Sequence, residues 1–253
     1  MARSTSKWVR RTQVLALVCV LFLAFSTFLA LAQLWWNKDR YPQVLYPAPS
    51  YRPEVSWSGE RPKDWVKLSS MPRAAWLSII AAEDGGFFKH NGVEWEQSFA
   101  KIRSDIHKGK FPGGVSTLNQ QISKNLYFGA RPAITRKLQE IAVAERMDAM
   151  LGKEQILEIY LNIAEWGPGV VGIKAAARYY FKKSVSQLSE YECAVLANLL
   201  PNPRVRGAWV KQGRMPPRFA RRVGRTVRRL ASTDRLVRSQ KRLQRMPATE
   251  RLR

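Results

Sequence analysis

The longest uncharged stretch of this chain lies near its start, and it constrains everything that follows. No charged residue occurs between Arg11 and Lys38, and Val14 to Trp36 consists mostly of Leu, Val, Ala and Phe. At about 1.5 Å per helical residue the run is roughly 34 Å long, enough to cross a hydrocarbon core of about 30 Å. Arg3, Lys7, Arg10 and Arg11 precede it and Trp35-Trp36 closes it, which fits a cytoplasmic N-terminus and an aromatic anchor at the far interface. A cleaved signal peptide is the competing reading, since Ala30-Leu31-Ala32 has the small-x-small form of a cleavage site. The run is longer than the ~7 to 15 apolar residues of a signal core, however. Both readings export everything after Asn37.

Export changes what the charge means. The 253 residues carry 43 Lys+Arg against 19 Asp+Glu, a formal net charge of +24, and 17 basic but only two acidic residues fall after position 200. Such a surplus suits nucleic acid or anionic lipid headgroups equally, because both are dense arrays of phosphates. Outside the cytoplasm a membrane is the expected partner and nucleic acid is not. At 45% hydrophobic residues the chain is too apolar for a disordered protein, and its exported part is sized for one main core. Cys19 and Cys193 are the only cysteines, too few for a disulfide framework or a Cys-rich zinc site.

The organisation expected is a cytoplasmic stub and anchor at 1–37, a linker at 38–62, a mainly α domain at 63–205 and a basic tail at 206–253. Prolines at 42, 47, 49, 53 and 62 favour an extended spacer in the second segment. Beyond Lys63 helical periodicity dominates, with helix-start signals at Pro72 and at the capping box Ser189-x-x-Glu192. In the Arg-rich end, Arg218 to Leu243 reads either as a basic helix or as a solvated tail.

Three segments can carry chemistry. Residues 71 to 84 form an apolar helix ending in Glu83-Asp84 and stopped by Gly85-Gly86. A helix C-terminus is unfavourable for carboxylates and the two acids repel, so the less solvated one should have a raised pKa and suit a general base. The ordinary alternative is an exposed pair, or one paired with Lys89 or His90. Next, Gly113-Gly114 runs into a helix for which Ser116 is a natural N-cap. Leu118, Ile122 and Leu126 make a packing stripe, with Ser116, Gln120 and Lys124 about 160° away. Free amides at a helix start, an amide side chain and an ammonium on one face are what a diphosphate needs; a solvated helix face is the bland alternative. Third, Arg136-Lys137-Leu138-Gln139-Glu140 opens a central helix on which Glu140 needs a partner, and Arg136, one turn away, is the simplest. Residues 153–162 read as core packing.

Other chemistries lack parts. His90 and His107 are the only histidines, and neither H-E-x-x-H nor G-x-S-x-G occurs. Gly167-Pro168-Gly169-Val170-Val171-Gly172 matches G-x-G-x-x-G as a string, but without a preceding strand it reads as a loop.

Taken together, these segments resemble the peptidoglycan glycosyltransferases of the lysozyme-like class, most closely the monofunctional biosynthetic transglycosylases. Glu83-Asp84-x-x-Phe87-x-x-His90-x-Gly92 matches the first family motif and Gly114-x-Ser116-Thr117-x-x-Gln120-Gln121-x-x-Lys124-Asn125 the second. Arg136-Lys137-x-x-Glu140 and Lys153-x-x-Ile156-Leu157-x-x-Tyr160-Leu161-Asn162 match the next two in order, and the likeness runs from about Lys63 to Pro203. Gly113, Val115, Gly85-Gly86 and Arg131-Pro132 depart from the family pattern.

The resemblance implies a mainly α, lysozyme-like glycosyltransferase domain behind a single transmembrane helix, held at the inner membrane with its catalytic part on the periplasmic side. It implies polymerisation of a lipid-linked disaccharide-peptide into glycan strands. Glu83 and Glu140 are the implied catalytic acids, with Asp84, Ser116, Gln120, Lys124, Arg136 and Lys137 as substrate contacts. A divalent cation such as Mg2+ on the diphosphate is an expected helper, its ligands unassigned apart from a share for Glu140, and no organic cofactor is expected. Other cell-wall synthesis proteins are expected partners. The rival is a glycan-cleaving lysozyme-like enzyme or lytic transglycosylase, since an acid pair in a helical cleft also serves glycosidases.

Overall fold

The computed structural model describes residues 13–14, 17–29, 32, 63–110, 115–128 and 133–245. Its centre is α1 (Arg73–Glu83), whose Ala75, Trp76, Leu77, Ser78, Ile79 and Ile80 are all buried. A helix apolar around its whole circumference must be enclosed. It is, between α7 (Glu190–Leu199) and α9 (Pro217–Arg245). The sequence-predicted capping box opens α7: Ser189 Oγ accepts from Glu192 N, and the Glu192 carboxylate accepts from Ser189 N at 2.8 Å.

A second group of helices supplies the other wall. The short α3 (Leu118–Ser123) widens into a π-helical turn (Lys124–Phe128) and packs on α4 (Ala133–Met150) and α5 (Lys153–Ile163). Its N-cap is Thr117 rather than the expected Ser116. The Thr117 side chain accepts from Gln120 N, Gln120 Oε1 accepts from Thr117 N at 3.0 Å, and Thr117 Oγ1 donates to Gly92 O at 2.6 Å. Gly92 stands at φ 89°, and a Cβ there would lie 2.4 Å from the Ala144 carbonyl oxygen, so only glycine lets the first motif sit against α4.

α2 (Trp95–His107) buries only Ser98 and Asp105, and Trp95, Phe99 and Ile106 are exposed along one face. The stretch read as a loop is a small antiparallel hairpin, β1 (Glu165–Gly167) and β2 (Val170–Val171), with Glu165 opposite Val171. Pro168-Gly169 turns it, and Gly169 at φ 73° meets the positive φ such a turn needs at its second corner. α6 (Ile173–Phe181) and α8 (Pro203–Lys211) follow, α8 packing on β1.

Within the basic tail expected at 206–253, where 218–243 read as either a basic helix or a solvated tail, 217–245 form the helix α9. Phe219, Val223, Thr226, Leu230, Thr233 and Val237 are buried at alternating spacings of four and three, a continuous stripe at helical period. Asn198 of α7 donates to Thr226 Oγ1 at 2.9 Å, and Arg73 Nε of α1 donates to Asp234 at 2.6 Å. The arginines lie on the remaining face. Of the apolar run, residues 17–29 are helical with mostly exposed side chains. No helix among the described residues is long and apolar enough to cross a membrane. Of the remainder of the run only Val14 and Ala32 are described, and the 38–62 linker, Gly113-Gly114 and Arg131-Pro132 lie outside the described residues.

If α9 belongs to the core, Leu230→Ala should lower unfolding free energy in urea by about 2–4 kcal/mol. A detached tail would tolerate the change without effect.

Candidate active site

A cleft of about 450 Å3 opens between the two halves. Glu83 lines it with Ser116, Gln120, Gln121 and Lys124 from the α3 region, Glu140 from α4, Tyr160 from α5 and Pro201 and Pro203 beyond α7. Glu83 and Lys124 thus face one space.

Glu83 is the last residue of α1, and burial pushes its carboxyl pKa up. Gln121 opposes the shift by donating Nε2 to Glu83 Oε2 at 3.3 Å, Arg222 and Arg206 oppose it by their charge, and Asp84 adds to it; the net direction is upward. A carboxylate whose pKa is raised is a stronger base than an ordinary one.

Asp84, expected among the substrate contacts, does not line the cleft. The helix ends at Glu83, and Asp84 leaves it at φ −151°, ψ 73°, which turns the two neighbouring side chains apart. The buried Asp84 carboxylate accepts Leu118 N–H at 3.0 Å, and both its oxygens lie 3.1 Å from His90 Nε2. It therefore holds the start of α3 against the first motif. Gln120 lines the cleft, but its carbonyl is taken by the Thr117 cap.

Of the expected cations Lys124 lines the cleft, while Arg136 and Lys137 stand behind it and hold two lining residues, Glu140 and Ser116. Arg136 Nε lies 3.0 Å from Glu140 Oε1, Lys137 Nζ lies 3.3 Å from Glu140 Oε2, and Lys137 Nζ donates to Ser116 Oγ at 3.0 Å. The expected Arg136–Glu140 pair is thus present and extended by Lys137. Lys124 is exposed beside them, and no carboxylate among the described residues pairs with it. Glu140 is buried with both oxygens engaged. No group of three or more His, Cys, Asp or Glu among the described residues is placed to hold a metal ion.

Sequence reasoning missed Gln121 and Tyr160, which surround Glu83, and Arg206 and Arg222, whose charges reach it. The second and fourth family motifs, which contain Gln121 and Tyr160, were the available signal for both. Nothing distinguished the two arginines from their many neighbours.

These parts define a helical cleft with a carboxylate of raised pKa on one side and a group of cations on the other. Residues 53–230 match the family model described as Transglycosylase. The chain is 41% identical over 172 residues to a protein of Nitrobacter winogradskyi, covering 68% of this chain and 70% of that one. It is 42% identical over 167 residues to a protein of Brucella suis biovar 1 (66% and 74% covered) and 37% over 170 residues to one of Chromobacterium violaceum (67% and 73%). Each of the three is named biosynthetic peptidoglycan transglycosylase. The chain belongs to the biosynthetic peptidoglycan transglycosylase family.

Because Glu83 has a raised folded-state pKa, its charge weakens the fold once pH rises through that value. Glu83→Gln should therefore melt higher than the wild type at pH 7. The difference should vanish at acidic pH below the ordinary carboxylate range, where both side chains are neutral. Melting curves at the two pH values check this.

Proposed function

We propose that the cleft carries out the family's glycan-strand polymerisation with Glu83 as general base. Glu83 accepts the proton of the acceptor's 4-hydroxyl, and that oxygen attacks the anomeric carbon at the reducing end of the growing strand, inverting it. The bond to the polyprenyl diphosphate breaks as the new one forms. A diphosphate departs without a proton when cations receive its charge, and Lys124, Lys137 and Arg136 are the groups for that. Glu140 keeps Arg136 and Lys137 aligned. A divalent cation such as Mg2+ would come with the diphosphate, since both oxygens of Glu140 are committed to cations.

The observation that carries this reading is the shared cleft: a base of raised pKa and an exposed ammonium beside a Lys-Arg-Glu cluster line the same space. The reading that the enzyme cleaves glycan requires an acid to protonate a sugar oxygen. Glu140, with one oxygen on Arg136 and the other on Lys137, has no oxygen free to reach one.

A donor whose lipid tail stays in the bilayer must be met at the surface. The Val14–Trp36 run supplies a single-pass anchor in the inner membrane with the domain on the periplasmic side. The exposed Trp95, Phe99 and Ile106 face of α2 suits the interfacial layer. Other cell-wall synthesis proteins are natural partners there.

Polymerisation of purified lipid-linked disaccharide-peptide tests the proposal, run with and without a divalent cation. Glu83→Gln should fold and lose on the order of 10²–10⁴ in rate. Full activity of that variant, or degradation of finished glycan without synthesis, would overturn it.

A further inference from the structure

We propose that Tyr160 is a positioning residue for the base: by donating its phenolic hydrogen to the Gln121 carbonyl, it fixes which end of that amide faces Glu83. The inference rests on the reading of Glu83 as the base.

A glutamine amide has nearly the same shape in its two orientations, so its partners decide between them. Tyr160 Oη donates to Gln121 Oε1 at 2.8 Å, and Gln121 Nε2 then points to Glu83 Oε2 at 3.3 Å. The Tyr160 side chain is almost wholly buried, on a helix whose Ile156, Leu157, Ile159 and Leu161 are also in the core, so its hydroxyl has little freedom. Burial, with Glu83 and Asp84 nearby, holds the phenol protonated far above neutral pH, and it remains a donor throughout the working range.

The orientation matters because the two ends act oppositely on the base. An N–H facing Glu83 favours its carboxylate, whereas a carbonyl there favours the protonated acid. In the turned state Gln121 would accept from a neutral Glu83 and donate to the phenol oxygen. The phenol's preference for donating therefore biases the site toward an ionised base. The other groups bearing on Glu83 are Asp84 at the end of α1, Arg206 of α8 and Arg222 of α9, and none of them touches the Gln121 amide. Tyr160 and Gln121 are 39 positions apart, so the contact joins α5 to the α3 wall and, through the Gln121 amide, to Glu83 at the end of α1.

Tyr160→Phe keeps the ring and removes only the donor. In the polymerisation assay its acidic limb of kcat/KM against pH should move up by about half to one pH unit, while the plateau above that limb changes much less. Gln121→Leu should move the limb in the same direction, and the double variant no further than the larger single shift, since both act through one contact. Thermal melts establish that each variant is folded. An unmoved limb in folded Tyr160→Phe, with loss by one factor at every pH, would overturn the inference; an unmoved limb in Gln121→Leu would do the same if Tyr160→Phe does not fold. Glu83→Gln in the same series separates the two levels. If it polymerises normally, the base assignment falls and takes this inference with it; if it is inactive while the limbs stay put, only the positioning role fails.

Discussion

The buried carboxylate of Asp84 is the junction on which the site depends. It takes the first free amide of α3 and the imidazole of His90 at once, where a charged acceptor is worth more than a neutral one. From His90 the network continues inward: its carbonyl accepts from Lys153 Nζ at 2.6 Å, Lys153 pairs with Asp148 at 2.5 Å, and Asn119 donates to Asp148 at 3.1 Å. One chain of polar contacts thus ties the end of α1 to α3, α4 and α5. Its charge-assisted contacts at Asp84, Lys153 and Asp148 fix the relative placement of those helices, while His90 Nδ1 and Asn119 Oδ1 are buried without a hydrogen-bond partner.

That placement separates two adjacent acids into different tasks. Asp84 is turned into the network and builds the wall; Glu83, one residue earlier, is left at the cleft with an amide and two distant arginines for company. The opposite wall concentrates positive charge, but the Glu140 carboxylate holds Arg136 and Lys137 in place. Lys124 remains without a carboxylate partner among the described residues. A carboxylate of raised pKa and a group of cations therefore coexist without neutralising each other, as the proposed diphosphate-releasing reaction requires.

Much of this was legible in the sequence because the signals were local. The α1 pattern, its stop at Gly85-Gly86, the Ser189–Glu192 box and the pairing of Arg136 with Glu140 all follow from neighbours within one or two turns. What escaped was decided across long separations. Thr117 rather than Ser116 caps α3 because the Gly92 carbonyl and Gln120 both reach it, and the choice between a helix and a solvated tail for the Arg-rich end stayed open because two threonines interrupt the apolar stripe of α9 amid many arginines. The division of labour between Glu83 and Asp84 turned on the backbone leaving the helix between them, and the Tyr160–Gln121 contact has no local trace.

The most direct test of the central claim is a titration of the Glu83 carboxyl itself. Isotope-labelled glutamate, followed by infrared or NMR difference between the wild type and Glu83→Gln in the full-length protein, isolates its signal. The account expects a midpoint above that of an ordinary glutamate, with the group still ionised at neutral pH. A midpoint at or below the ordinary value would mean that burial does not govern this carboxylate, and the cleft would lose its base.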